Sequence, residues 1–264
     1  MLFDYHLHSF LSPDADPSQS FSRIVDQAME MGVEEICLTD HDESEGNFCN
    51  IDMERYNLEY TRFMNTNPPI PVKKGIELSV HYDAIPTYEK FLSQHDFDFI
   101  IASQHFVDGV DLYLPDFYQD KTVREAYERY LQAMLKTLQN FQHYDVVGHI
   151  GYCCKYCGNY QKLPFCYDLF PDLFDAILKT VIQNGKGIEL NTSAAKITGG
   201  IGTPTPSILR RYLELGGEII TTGSDGHRPG EVGRFLKEGT QALKEMGFRY
   251  ICTFEKRKPI FHKL

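Results

Sequence analysis

The sequence predicts an α/β protein in which seven parallel strands close, or nearly close, into a barrel. Two observations carry that expectation. Short β-rich runs alternate with helical patterns along the chain, and such alternation builds parallel sheets. The 264 residues also suit one barrel-sized domain, with no low-complexity tract, long linker or close internal repeat.

The elements follow in order. The run "LFDYHLH" sets His6 and His8 two residues apart, so on a strand both imidazoles aim at one face. "SFSRIVDQAMEMG" reads as a helix capped by Ser20 and stopped at Gly32. Three strand runs come next, "EEICLTDH", "VKKGIELSV" and "FDFIIASQHF". A helix headed by Thr122 fills "TVREAYERYLQAMLKTLQNF". The strand "YDVVGHIGY" precedes a helix, "DLFDAILKTVIQNG", that ends at Gly185. "KGIELNTS" is the sixth strand. The helix "TPSILRRYLELGG" then opens on Thr205 and Pro206 and ends at Gly216. "GEIITTGSDGH" is the seventh strand, followed by the helix "EVGRFLKEGTQALKEMG". "FRYICTF" is a final strand candidate, and the basic tail "EKRKPIFHKL" is expected to wrap an outer face. Two excursions, 106–121 and 152–170, are rich in Tyr, Asp, Pro and Gly, and loops after barrel strands build active sites.

Composition excludes several classes. No apolar run approaches the roughly 20 residues of a membrane span. The N-terminus lacks a signal-peptide pattern, so the expected compartment is the cytoplasm. A net charge of -11 argues against binding long nucleic acids, which needs a basic surface. The seven cysteines are odd in number, and the single C-x-x-C of Cys154 and Cys157, beside Cys153 and Cys166, lacks the second pair of a structural zinc site. Reduced, partly buried thiols are expected there. Nothing in the sequence specifies an oligomeric state.

The polar residues fall at the strand ends. His6 and His8 end the first strand, Asp40 and His41 the second. Glu77 sits in the third, His105 ends the fourth and His149 the fifth. Glu189 and Asn191 lie in the sixth, and Asp225 and His227 end the seventh. Six of the ten histidines occupy these positions. A parallel barrel gathers its strand C-termini at one rim, so these groups converge. One histidine at a strand end is ordinarily a packing residue. Six neutral imidazoles together leave many nitrogens to satisfy, and protonated they repel. Divalent ions resolve both problems, and imidazole with carboxylate suits Zn, Fe or Mn. With Asp14, from the loop after strand one, nine ligands are available, too many for one ion. Two or three ions are expected, with a bridging carboxylate and water, a pairing that stabilises in-line displacement at phosphorus. Strand parity does not choose between Asp40 and His41.

In order, "DYHLHS", "LTDHDE", "GIELS", "ASQHF", "GHI" and "GSDGH" resemble the successive motifs of the PHP (polymerase and histidinol phosphatase) superfamily over nearly the whole chain. The length and "IELNTSA" are most similar to its stand-alone histidinol-phosphate phosphatases. The resemblance implies a distorted, TIM-barrel-like (β/α)7 barrel, residues 1–264 forming a single domain, and a trinuclear metal site. His6, His8, Glu77 and Asp225 would hold one ion. Glu77 would bridge to a second, held also by His105 and His149. Asp14, His41 and His227 would hold the third. Relatives grip phosphate with basic residues after strands five and six, and Lys155 and Lys196 match those places. Gly151 stands where the family's fifth motif often carries an acid.

The activity so implied is hydrolysis of a small-molecule phosphate ester, L-histidinol phosphate, in histidine biosynthesis. Glu77 would bridge the ions, and Asp14 or His227 would assist the leaving oxygen. "VDGVDLYLPDFYQD" offers Asp108, Asp111, Tyr113 and Asp116 to the cationic end of that substrate. The alternatives are a phosphoesterase for nucleotides or other small esters, an amidohydrolase, which ordinarily wants a lysine where His105 stands, and a non-catalytic metal-binding scaffold.

Overall fold

The computed structural model describes residues 1–43, 50–158 and 162–264. In chain order its strands are β1 (Phe3–Asp4), β2 (Glu35–Leu38), β3 (His41–Asp42), β4 (Val72–Ser79), β5 (Phe99–Ser103), β6 (Phe106–Val107), β7 (Val110–Asp111), β8 (Val146–Val147), β9 (Gly187–Asn191), β10 (Ile220–Gly223), β11 (Tyr250–Glu255) and β12 (Lys258–Lys263). The helices are α1 (Phe21–Glu30), α2 (Met53–Met64), α3 (Ile85–Leu92), α4 (Val123–Asn140), α5 (Pro171–Gln183), α6 (Ala195–Thr198), α7 (Pro206–Glu214) and α8 (Leu236–Met246).

Seven strands pair in parallel in the order β1-β2-β4-β5-β8-β9-β10, with β3 also on β4. The seam between β10 and β1 is stitched by Tyr5 N–H to Thr222 O (2.9 Å), Asp225 N–H to His6 O (2.8 Å) and His8 N–H to Gly226 O (3.1 Å). The sheet is therefore a nearly closed barrel of seven strands, as the sequence predicts. Phe3 and Tyr5 face the barrel floor while His6 and His8 face the rim, so the alternation slips by one residue after Tyr5.

The helices form where their caps and apolar faces predict. Ser20 accepts from Arg23 N–H at the head of α1, and Phe21, Ile24, Val25 and Ala28 bury one face at helical spacing. Burying the three larger of these side chains contributes roughly 1.5–3 kcal/mol each before chain entropy is subtracted. Thr122 and Glu125 form a reciprocal capping box on α4. Helix α8 starts later than expected, at Leu236, because Phe235 takes a left-handed conformation (φ +60°). Among the described residues no helix is long and apolar enough to cross a membrane.

The C-terminus differs from expectation. "FRYICTF" is a strand, as expected, but the tail does not wrap an outer face. β11 and β12 form an antiparallel hairpin, Tyr250↔Lys263 through Glu255↔Lys258. It plugs the N-terminal end of the barrel. Ile251, Cys252 and Phe254 pack with Phe3, Tyr5, Cys37, Phe99, Ile101 and Val146. The hairpin turn is pinned to the strand starts by Lys256 N–H to Asp98 Oδ1 and by an Arg257–Asp145 ion pair. With that end filled, the rim at the opposite end is left for chemistry.

The cysteines the structure describes carry no disulfide, and Cys153, Cys154 and Cys157 are buried. Cys49 and residues 159–161 of the second excursion lie outside the described residues.

Candidate metal centre

Glu77 organises the rim. It lies on β4 across from His41 of β3, in an inward-facing register. Its Oε2 is 3.1 Å from His6 Nε2, 3.5 Å from His8 Nε2 and 2.9 Å from His41 Nδ1. Its Oε1 is 2.8 Å from His149 Nε2 and 3.5 Å from His105 Nε2. Ser103 also donates to Oε1. Asp225 Oδ1 approaches His6 Nε2 at 3.7 Å and His8 Nε2 at 3.4 Å. Asp14 Oδ2 lies 3.1 Å from His227 Nε2 and 3.5 Å from His41 Nε2. Those two imidazole nitrogens are 3.3 Å apart.

These contacts are ligand geometry more than hydrogen bonding. Among the described residues, His6 Nε2, His8 Nε2, His41 Nδ1 and Glu77 Oε2 are buried without a hydrogen-bond partner. Leaving such atoms unpaired costs about 1–3 kcal/mol each. An ion with bonds of about 2.1 Å sets neighbouring donor atoms roughly 3.0–3.4 Å apart, close to the spacings found. His6, His8 and Glu77 form one group able to hold an ion, and Glu77, His105 and His149 form another. Asp14, His41 and His227 gather on the outer side.

The charges are pushed apart across the cluster. Burial opposes protonation of His6, but Glu189, Glu77 and Asp225 outweigh it and hold its pKa well above the usual value. Burial, reinforced by His227 and His41, drives His8 well below it. Burial likewise lowers His149. For His105 burial is overcome by Glu77 and Glu43, and its pKa is pushed up to about 9. Burial would raise Glu77, yet His6, His41 and His105 keep its carboxyl well below the carboxylate range.

The nine residues expected as ligands converge here. His41, not Asp40, reaches the cavity. Asp40 is held below it by Ser9 N–H (2.7 Å) and the Ser9 and Ser12 hydroxyls. Lys155 lies in the site, 3.0 Å from Asp225 Oδ2. Lys196 does not. It is exposed on α6, its Nζ 6.0 Å from the centre of the Phe235 ring. Among the described residues, the cationic groups that line the cavity beside Lys155 are Arg228 and Arg234. They follow His227 in "GHRPGEVGRF", in the loop after the seventh strand, where the rule that marked the other loops would have found them. Sequence reasoning also left unassigned Glu43, 2.8 Å from His105 Nδ1, and Glu189, 2.7 Å from His6 Nδ1.

The cluster forms the base of a cavity of about 810 Å³. Lys155, Arg228 and Arg234 line it together with Asp111, Tyr113 and Asp116. Asp108, offered by the same loop, is turned away into an ion pair with Arg129.

Residues 4–193 match the family model of the PHP domain. The histidinol-phosphatase of Lactococcus lactis is 29% identical over 261 residues, covering 97% of this chain and 95% of that one. A Clostridium acetobutylicum protein named "Probable histidinol-phosphatase" is 27% identical over 264 residues, 97% of this chain and 98% of its own. The crystal structure of histidinol phosphate phosphatase from Lactococcus lactis, complexed with zinc, L-histidinol and phosphate, superposes with a TM-score of 0.88 at 27% identity, covering 98% of both chains. A Listeria monocytogenes structure shares the fold, with a TM-score of 0.70 at 19% identity. The family match spans most of the chain and all the rim motifs but the last, and the protein belongs to the PHP domain family.

Proposed function

We propose that this protein is a metal-dependent phosphomonoesterase that hydrolyses L-histidinol phosphate to L-histidinol and phosphate. The carrying observation is the set of buried, unpartnered donor atoms around Glu77 at the base of an open cavity. Similarity along the whole chain to a phosphatase crystallised with zinc, L-histidinol and phosphate supports both the metal and the substrate class. Residues 1–264 act as one domain in this reading. Support for that comes from β10, which lies beyond the family match yet completes the same sheet.

His6, His8, Glu77 and Asp225 would hold one ion, Glu77, His105 and His149 a second, and Asp14, His41 and His227 a third, each zinc, iron or manganese. Such ions supply Lewis-acid polarisation of a phosphoryl oxygen and lower the pKa of water. Lys155, fixed by Asp225, brings a point charge to the phosphate, and Arg228 and Arg234 offer forked donors from the facing loop. Asp14 and His227 are the more exposed of these residues, with side-chain accessibilities of 45% and 22%, and would assist the leaving oxygen from the cavity side. Asp111, Tyr113 and Asp116 would receive the ammonium and imidazole end.

The test is phosphate release from histidinol phosphate, nucleotides and p-nitrophenyl phosphate, after chelation and after each metal is restored. Histidinol phosphate should be hydrolysed fastest, and only in the presence of metal. Equal rates on nucleotides would overturn the substrate assignment, and indifference to chelation the metal assignment. An Asp111→Asn, Asp116→Asn variant should raise KM for histidinol phosphate more than for p-nitrophenyl phosphate.

A further inference from the structure

Glu189 is a buried carboxylate, 1% exposed, and belongs to none of the three ligand groups. It projects inward from β9. Its Oε1 accepts from His6 Nδ1 at 2.7 Å, and its Oε2 accepts from the His149 backbone N–H at 2.8 Å. Asn191 Nδ2 lies 3.4 and 3.3 Å from the two oxygens. One carboxylate thus grips two metal-facing histidines that arrive on different strands.

Both grips matter to aim. With Nδ1–H donated to Glu189, the Nε2 lone pair of His6 is the one left facing Glu77 and Asp225. Among the described residues His149 Nδ1 has no hydrogen-bond partner, so no such bond aims the ring, which packs against His105 and Tyr152. The His149 backbone is held on the N–H side by Glu189 and on the carbonyl side by Tyr152 N–H at 2.8 Å. The surroundings leave room for this carboxylate. A Cβ built on Gly223 would collide with Glu189 Oε1 and His6 Cβ, and one built on Gly148 would press on Ser103 with Glu189 Oε2 beside it.

We propose that Glu189 is a positioning residue of the metal centre: by holding His6 Nδ1–H and the His149 N–H together it sets the tautomer of the first and the place of the second, so that both Nε2 atoms point at Glu77. The proposal rests on the metal reading above, and it concerns a residue that touches neither ion nor substrate.

Glu189→Gln is the informative change. It keeps the volume, but an amide presents one acceptor oxygen where two N–H groups must be met. The metal-loaded protein should bind zinc about 10–100-fold more weakly than wild type, since partners that orient ligands carry effects of that size. Excess zinc should restore much of the phosphate release, while the thermal midpoint of the chelated protein stays near that of wild type. A purely structural role would shift that midpoint and would not answer to added zinc. Zinc affinity within twofold of wild type overturns the proposal, whatever the activity. If the variant does not fold, 1H–15N NMR of zinc-loaded wild type decides: a His6 Nδ1 proton shifted far downfield and protected from exchange by its bond to Glu189 sustains the proposal, and an unprotonated or freely exchanging Nδ1 overturns it. Wild-type zinc binding and histidinol phosphate hydrolysis, measured alongside, report separately on the metal reading itself.

Discussion

At the C-terminal rim the barrel leaves Nε2 of His6 and of His8 and one oxygen of Glu77 buried without hydrogen-bond partners among the described residues. At the N-terminal end the β11–β12 hairpin packs Phe254 against Tyr5 and Phe99, with ring centroids 6.5 and 4.8 Å away, and occupies the polar strand starts at Asp98 and Asp145. The same strands run through both ends. One end is arranged for stability, with apolar contact and paired charge. The other accepts local instability that a bound cation would relieve. The contrast teaches that the two ends should fail differently when mutated.

The sharpest break should come at the rim. Glu77→Ala removes the group shared by five histidines, and His105→Ala removes one of its partners. Each should lower kcat/KM for histidinol phosphate on the order of 10³-fold or more, about 4 kcal/mol of transition-state stabilisation. The circular dichroism spectrum should remain native. Near-wild-type phosphate release from either variant would erase the division between the two ends.

At the floor the order reverses. Phe254→Ala empties the centre of the plug and should cost about 3–5 kcal/mol in urea unfolding. Turnover per folded molecule should stay within a factor of about two. A comparable loss of turnover in the folded fraction would mean that the hairpin helps to shape the rim.

Arg257→Met tests the charged border of the floor. Burial raises the pKa of Asp145, and Arg257 beside it pulls it back. Without the guanidinium the folded-state value rises further above the unfolded one, about 3.9. A raised carboxyl pKa favours the fold below the unfolded value, and that benefit is lost as pH climbs through the folded value. The variant should therefore lose about 2 kcal/mol at pH 7.5, less than a fully buried pair would because Arg257 is partly exposed. The deficit should shrink toward pH 5. Urea midpoints at the two pH values measure it, and a deficit independent of pH would mean Asp145 is not its source.

The rim was more legible than the floor for a physical reason. Histidines and acids at strand ends are chemically costly unless they share a purpose, so His6, His8, His41, Glu77, His105, His149, Asp225 and His227 stand out even in a bare sequence. Capped helices such as α1 and α4 carry equally local signals. Helices α2 and α3 do not. Met53, Tyr56, Tyr60, Phe63 and Met64 do repeat at helical spacing in α2, but only Met53 and Tyr56 are fully buried, and the eight residues of α3 are too short a run to show a period. "FRYICTF" reads as a strand, but no pattern says which sheet it joins. Its hairpin is hidden because Lys256–Arg257 is not a recognisable turn pair. Lys196 illustrates a further limit. A position after a strand predicts proximity to the rim, yet the turn into α6 leaves this side chain exposed.

The hairpin turn offers the smallest effect. Lys256 and Arg257 link β11 to β12 as a two-residue loop, with φ of +48° and +67°. Two left-handed residues in succession define the hairpin turn that favours Asn-Gly, and a side chain such as lysine is strained there. Arg257 has a reason to stay, its pairing with Asp145. Lys256 is exposed, and its fixed contact is the backbone N–H to Asp98 Oδ1, 3.0 Å, which any residue but proline retains. Lys256→Asn should therefore stabilise by about 0.5 kcal/mol, a rise of roughly 1–2 °C in Tm for a chain of this size. Phosphate release should be unchanged. A fall in Tm would show that the lysine side chain contributes more to the floor than its backbone strain costs, and would move part of the floor's stability from apolar packing to surface charge.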